Sequence, residues 1–163
     1  QVLGLASRPG GWRALAAAEM PLTRPERDGP ALLAASNMAR AGRGLAALRP
    51  NARLDAAAQA YAEDLARTET LSHIGPDGSS PSDRAARAGY VYGALLENLA
   101  ENAADAENAV ALWIDSPPHR AALFSRVPID GGVGVAEGPA RAGNAPRRYW
   151  VLMLGRPAGG ANR

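Results

Sequence analysis

The chain has only two histidines, His73 and His119, and they are the first candidates for chemistry. A neutral imidazole acts as a general base or binds a metal ion, and it changes charge near physiological pH. His119 stands at the third position of a predicted helix that begins after Ser116, where the helix dipole disfavours an imidazolium. A second interpretation stays open, in which each histidine only ends a turn or hydrogen-bonds the backbone.

Two carboxylates are candidates to act with the histidines: Glu97 and, on weaker grounds, Asp83. Glu97 stands among apolar residues in the stretch 95–99. If that stretch is a covered strand, a buried carboxylate needs a partner, so we expect Glu97 to bond a histidine or a cation. The alternative is an edge strand from which Glu97 faces water. Asp83 follows His73 by ten residues, at the start of a short predicted helix.

Several classes of active site are excluded by the sequence. There is no cysteine, which excludes disulfides, thiolate zinc sites and a cysteine nucleophile. The segment Gly131–Gly134 lacks the lysine and the following helix of a phosphate-binding loop, and no G-x-S-x-G or H-E-x-x-H motif occurs. Ser72 and His73 do not form a catalytic pair, because adjacent side chains of an extended segment point apart.

The charge pattern argues against nucleic acid as a partner. There are 18 basic and 16 acidic residues, for a formal charge of +2, and every basic residue is an arginine. The arginines are dispersed among the acids, and their longest run is Arg147-Arg148. A nucleic-acid-binding surface concentrates its charge on one face. No run approaches the ~18 apolar residues of a membrane span, so we also predict no transmembrane segment.

The length of 163 residues predicts one domain. Residues 1–30 are rich in proline and glycine and predict an irregular N-terminal arm, with a possible short helix over Trp12–Met20. Ala16–Ala18 is similar to a signal-peptide cleavage site, but no apolar segment precedes it. Because the chain starts at Gln1 rather than methionine, we expect that a leader has been removed or the chain trimmed. The domain itself is predicted to span residues 31–158, with a tail over 159–163.

The elements predicted within this domain place the candidate residues on helix ends, loops and short strands. A helix begins at Ala31, and a second has an apolar stripe at helical spacing, formed by Leu54, Ala58, Tyr61, Ala62 and Leu65. Residues 71–82 read as a loop, followed by a helix that Ser82 caps and Gly89 ends. The remaining predicted elements are short strands over 90–92 and 95–99, a helix from Asp105 to Asp115, a helix after Ser116, and strands over 133–136 and 149–154. Because the last two strands are joined by a short polar loop, we predict an α+β fold with an antiparallel sheet.

The candidate residues lie in a series of motifs that together resemble a known family. In their order and spacing, residues 31–156 closely resemble the bacterial branch of the CAP superfamily (cysteine-rich secretory, antigen 5 and pathogenesis-related proteins, also called sperm-coating-protein-like). The motifs that carry the resemblance are Asn37-Met38-Ala39-Arg40, Ser72-His73-Ile74-Gly75-Pro76-Asp77-Gly78, Asp83-Arg84, Gly89-Tyr90, Glu97-Asn98-Leu99-Ala100, Trp113-Ile114-Asp115-Ser116-Pro117-Pro118-His119-Arg120, Gly132-Val133-Gly134-Val135-Ala136 and Tyr149-Trp150.

The resemblance implies a three-layer α-β-α sandwich with a small antiparallel sheet, and export to an extracellular or periplasmic location. It also implies a cleft in which His73, Glu97 and His119 lie together. Many members have a second acid after the helix tryptophan. Here that acid is Asp115, displaced by one position, or Asp83, or it is missing.

Two functions follow, together with a structural alternative. The first is a secreted binding module whose cleft recognises a cell-envelope or extracellular ligand: a glycan, a peptide or a lipid. The second is a zinc-dependent hydrolase, such as a peptidase, with His73 and His119 as metal ligands and Glu97 as ligand or base. In the third, His73, Glu97 and His119 only brace the cleft through hydrogen bonds.

Overall fold

The computed structural model describes residues 5–8, 11–14 and 24–159 of the chain. Within these residues there are five helices and six strands. In chain order they are β1 (Leu5–Arg8), β2 (Gly11–Ala14), α1 (Pro25–Ala41), β3 (Arg49–Pro50), α2 (Ala52–Thr68), α3 (Pro81–Arg87), β4 (Tyr92–Glu101), α4 (Ala106–Asp115), α5 (Pro117–Leu123), β5 (Asp130–Glu137) and β6 (Arg148–Pro157).

The central sheet has the strand order β3-β5-β6-β4. Its two long pairings, β5 with β6 and β6 with β4, are antiparallel, as the sequence predicts. The predicted antiparallel sheet has one addition at its edge, where β3 pairs with β5 in parallel over two residues. The reason is the long connection from β3 to β5, which passes through the helices and so permits a parallel return.

Helices cover both faces of this sheet, which confirms the predicted α-β-α sandwich. One face packs against α1, α4 and α5 around the buried Trp113 and Trp150. The other face packs against α2 and α3, around Tyr61, Tyr90 and Tyr149. The helical stripe predicted on α2 is confirmed, since all five of its residues are buried.

Helix α2 lies unusually close to strand β5, and glycine makes this approach possible. A Cβ atom built on Gly132 would lie 2.2 Å from the carbonyl carbon of Leu54, and one built on Gly134 would lie 2.3 Å from that of Ala58. At the start of the same helix, the Asn51 side chain accepts hydrogen bonds from the backbone N–H groups of Arg53 and Leu54 and so caps the helix. The helix is therefore held in place at its end and along its length.

The first helix begins earlier than the sequence predicts, at Pro25 rather than at Ala31. Proline loses no hydrogen bond at the first helical position, and Glu26 and Asp28 in the first turn favour the helix dipole. Part of the predicted helix Trp12–Met20 is also wrong, because Gly11–Ala14 form a strand paired with β1. The remainder of that prediction lies outside the described residues.

Two further local predictions are corrected by hydrogen bonding. Helix α3 is capped by Ser80 rather than by Ser82, because the Ser80 hydroxyl accepts from the Asp83 backbone N–H and the Asp83 carboxylate accepts from the Ser80 N–H. Of the two short strands predicted over 90–92 and 95–99, the second lies within the longer strand β4, whereas the first overlaps β4 only at Tyr92, where the strand begins with an irregularity before Ala94. The helix after Asp105 has the predicted bounds.

Candidate functional site

The candidate site lies at the free edge of the sheet, along strand β4. Successive residues of a strand point to opposite faces, so the side chains of Glu97 and Asn98 contact different helical layers. Glu97 reaches the α2–α3 layer, where it bonds Arg84, and Asn98 donates from Nδ2 to the backbone oxygen of His119 on α5. The loop after α2 and the start of α5 are thereby brought to the same edge.

Glu97 is the centre of the hydrogen bonding in this cleft. Its side chain is only 1% exposed, and its two oxygens have different partners. Oε1 lies 2.8 Å from Nδ1 of His73, and Oε2 accepts a hydrogen bond of 2.8 Å from Arg84. Glu97 therefore has a histidine as one partner, as expected for a buried carboxylate, and an arginine as the other.

Arg84 is the main residue of this site that the sequence reasoning missed. Its side chain is 8% exposed and lies over the ring of Tyr61, 3.4 Å from the centroid. It also donates to the backbone oxygens of Ser79 and His73, which fixes the loop that carries His73. The sequence contained one indication of this role: an arginine follows Asp83 directly, on the short helix after the loop that carries His73.

The two histidines are placed in opposite electrostatic settings. The hydrogen bond to Glu97 raises the pKa of His73 above its ordinary value. Burial, followed by the charge of His73, lowers the pKa of His119. The sequence predicts a neutral His119 because of the helix dipole. The direction is confirmed, but the main cause is burial.

Both imidazoles use Nδ1 to fix their orientation. Nδ1 of His73 bonds Glu97, and Nδ1 of His119 lies 2.9 Å from the hydroxyl of Ser116. The Ser116 hydroxyl thus bonds the histidine instead of capping the α5 backbone. In the part of the chain that the structure describes, the hydrogen bonds of both imidazoles are made by Nδ1, and neither Nε2 has a protein partner.

The two aspartates considered as a second acid are not brought into this network. The Asp83 carboxylate accepts from the backbone N–H and the hydroxyl of Ser80, and these bonds lower its pKa. Asp115 is the exposed last residue of α4. Among residues 24–159, the carboxylate that bonds a histidine is that of Glu97.

The donor set does not fit a catalytic zinc ion with three protein ligands. Such sites use three side chains and leave one position open. No group of three or more histidine, aspartate or glutamate side chains that could hold a metal occurs within the described residues. Both oxygens of Glu97 already bond His73 and Arg84, so among the described residues of this site the two Nε2 atoms are the nitrogen ligands that remain for a metal.

Comparison with protein-family models identifies the family of this chain. The model of the cysteine-rich secretory protein family, CAP, matches residues 33–154. The chain belongs to the CAP family. The match includes all of β4 and the three residues His73, Glu97 and His119. A search of curated proteins gave no significant match.

Solved structures similar to this CAP domain include three bacterial proteins, and at these identities they show the fold alone. An extracellular protein with an SCP domain from Bacillus anthracis has a TM-score of 0.71 and 20% identity, over 83% of this chain and 44% of that one. An outer surface protein of Borrelia burgdorferi has a TM-score of 0.66 and 21% identity, over 78% and 90%. A cysteine-rich secretory protein of Staphylococcus aureus has a TM-score of 0.62 and 18% identity, over 82% and 40%.

The alignments also set the scale of the comparison. The CAP chain spans less than half the length of the Bacillus and Staphylococcus proteins, so each of those contains further regions beyond the matched domain. Among the described residues, no helix is both long enough and apolar enough to span a membrane.

Proposed function

We propose that this CAP protein is exported and acts as a binding module, with a cleft between His73 and His119 that recognises a cell-envelope or extracellular ligand. Support for export comes from its neighbours, which are named as extracellular, outer surface and secretory proteins. The cellular location that we propose is the extracellular space or the periplasm. The ligand is a glycan, a peptide or a lipid headgroup.

The observation that carries the proposal is the pair of oriented imidazoles, each fixed through Nδ1 and each without a partner for Nε2 among the described residues. His73, held by Glu97, favours the protonated form and offers a hydrogen-bond donor. His119, partly buried, favours the neutral form, in which Nε2 accepts or donates according to its tautomer. Imidazole nitrogens that donate or accept hydrogen bonds suit hydroxyl, amide and phosphate groups, which occur in all three ligand classes.

Binding of the purified protein to three separate preparations tests the proposal: cell-wall sacculi, phospholipid vesicles and a peptide mixture. We expect the wild type to bind one of them, and His73→Ala and His119→Ala to bind it at least about tenfold more weakly, a loss of about 1.4 kcal/mol. Glu107→Gln, an exposed change on α4, is the matched control and should bind as the wild type does. Binding that survives in both histidine variants, or no binding to any preparation, would contradict the proposal.

A second candidate function is a zinc-dependent hydrolase, such as a peptidase, in which the two Nε2 atoms bind the metal. The free Nε2 atoms favour it, whereas the engagement of both Glu97 oxygens leaves it without a third protein ligand. Calorimetric titration with zinc separates the two functions. Binding at micromolar or tighter affinity that is lost in both His73→Ala and His119→Ala would support the hydrolase. Absence of such binding would remove it.

The bracing role predicted as a third alternative has a different signature. In that case His73→Ala, His119→Ala and Glu97→Ala would lower the thermal stability while ligand binding stayed intact. The binding module requires the reverse for His73, whose side chain is 51% exposed and therefore contributes little to the packing of the core.

A further inference from the structure

A polar pocket of about 550 Å³ lies at the far end of strand β4, away from the histidines. This volume is within the ~300–1,000 Å³ range of small-molecule sites. Three separate segments line it: the residue after α2, the residue after β4, and the loop between β5 and β6. Five of its seven lining residues are polar or charged, namely Glu69, Asn102, Arg141, Asn144 and Arg147, and the other two are Pro139 and Ala145.

Two arginines of the β5–β6 loop are held by the same residue at the end of α2. Arg141 forms an ion pair with the carboxylate of Glu69, and Arg147 donates from one nitrogen to the Glu69 backbone oxygen and to Glu101. A guanidinium has five N–H donors, so these bonds leave several on each arginine. The side chains are 66% and 53% exposed, and their remaining donors are accessible from the pocket.

Backbone strain is concentrated at the same pocket. In the part of the chain that the structure describes, the non-glycine residues with positive φ are Glu69 at 51° and Asn102 at 61°. Both line this pocket. A left-handed conformation is unfavourable for a glutamate, and strained residues cluster at ligand sites, where the surrounding structure holds them. Asn102 is held by exchange of hydrogen bonds with the backbone of Arg148.

From the pocket, its cations and its fixed backbone, we infer that Arg141 and Arg147 form a second binding site, for the carboxylate of a small ligand such as an acidic sugar. The planar guanidinium matches a carboxylate with two parallel hydrogen bonds. Glu69 and Glu101 each pair with one of the two arginines, so a ligand carboxylate would bind through the guanidinium N–H groups that these pairs leave. The amides of Asn102 and Asn144 provide hydrogen bonds for hydroxyl groups beside the carboxylate. The site shares no residue with the histidine cleft and does not depend on its function.

The test is a titration of the ¹⁵N-labelled protein with sodium D-glucuronate, D-glucose and sodium succinate, followed by NMR. At about 10 mM ligand, well above the ~1 mM dissociation constant of a weak site, we expect glucuronate to shift the amide signals of Asn102 and Asn144. Glucose, which lacks the carboxylate, should not shift them. Succinate distinguishes the two kinds of ligand that could supply the carboxylate. Shifts as large as those of glucuronate would indicate a peptide-type carboxylate, and smaller shifts would indicate an acidic sugar.

Variants of the arginines distinguish binding from a purely structural clamp. Arg141→Gln and Arg147→Gln should each weaken glucuronate binding at least about tenfold. Their thermal stability should change little, since exposed ion pairs contribute little. The control is Arg67→Gln, an exposed arginine paired with Asp64 outside the pocket. The inference is overturned if no carboxylate shifts these signals, if glucose shifts them equally, or if both arginine variants bind as the wild type does.

A double variant, His73→Ala with His119→Ala, tests whether the arginine pocket binds glucuronate independently of the histidines. Glucuronate binding should persist in it, because the histidines do not line the arginine pocket. If binding is lost there while it persists in Arg141→Gln and Arg147→Gln, the carboxylate binds in the histidine cleft and the second site is refuted.

Discussion

Glu97 and Arg84 form an ion pair of 2.8 Å with side chains that are 1% and 8% exposed. A buried pair of this kind stabilises little relative to apolar residues, but removal of one partner leaves an isolated charge. The pair also fixes His73, because the same carboxylate bonds its imidazole and the same arginine bonds its backbone oxygen. Stability and site geometry are therefore linked at this point.

Glu97→Ala should lower the free energy of unfolding by about 3–5 kcal/mol, because the Arg84 guanidinium loses its buried partner. Chemical denaturation followed by circular dichroism measures it. The double variant Arg84→Met with Glu97→Leu removes both charges and should recover most of the loss. A loss under about 1 kcal/mol for Glu97→Ala would show that the pair is solvated rather than buried.

The two histidines should titrate in the order His73 above His119. The folded-state pKa of His73 is raised above 6.5, so its contribution to stability is complete below pH 6.5 and is lost as the pH rises through the raised pKa. The pKa of His119 is lowered, so its contribution is complete above pH 6.5 and is lost as the pH falls through the lowered pKa. Between the two pKa values His73 is charged and His119 is neutral.

NMR titration of the imidazole signals checks this order and its causes. In Glu97→Gln the pKa of His73 should fall towards its ordinary value, because the bond to the carboxylate is the largest cause of its shift. In His73→Ala the pKa of His119 should rise only in part, since burial remains. Equal pKa values in the wild type, or the reverse order, would disagree with the structure.

Gly132→Ala and Gly134→Ala should each destabilise the protein by about 1–3 kcal/mol or more, because the added methyl group meets the α2 backbone. Backbone atoms cannot move aside as a flexible side chain does. Gly29→Ala is the matched control. Its nearest contact would be the Val133 side chain at 3.5 Å, and within helix α1 it should stabilise by about 0.5–1 kcal/mol. Thermal denaturation of the three variants side by side gives the comparison, and similar melting temperatures would contradict it.

Arg40→Met should destabilise the α1–α5 layer. Arg40 is 2% exposed and donates to the backbone oxygen of Ala46, after α1, and to those of Leu123 and Ser125 at the end of α5. A buried acceptor that loses its donor costs about 1–3 kcal/mol. The bond to Leu123 is buried, and those to Ala46 and Ser125 are partly buried. Arg40→Lys should rescue only part of the loss, since one ammonium cannot reproduce the guanidinium fork. Urea denaturation would measure the difference, and full rescue by lysine would refute the geometric argument.

The sequence predicted those parts of the fold that depend on local pattern. The stripe of α2 and the cap at Asp105 follow from helical spacing and side-chain hydrogen bonding, and both are confirmed. The role of Ser80 rather than Ser82 was missed, because both serines have the right chemistry and only the backbone distinguishes them. The parallel pairing of β3 was missed because two residues carry no periodicity.

The site was predictable in its residue types but not in its contacts. The need of Glu97 for a partner follows from its apolar neighbours, and the family resemblance suggested His73. Arg84 contacts Glu97 from another element, a relation that spacing along the chain does not contain. The carboxylate of Asp83 bonds Ser80 in the cap of its own helix, a contact that the sequence analysis did not foresee. The arginine pocket depends on the conformation of a loop, which composition does not specify.

Glu97 and Asn98 point to opposite faces of β4, so their contacts depend on the register of β4 against β6. Glu97 stands opposite Met153 and Asn98 opposite Leu152. A slip of one residue would exchange the faces of the two side chains. An amide would then meet Arg84, while a carboxylate would meet the backbone oxygen of His119 and repel it. The misaligned sheet is thus penalised twice by charge, so the residues that form the cleft also help the chain to select its correct strand pairing.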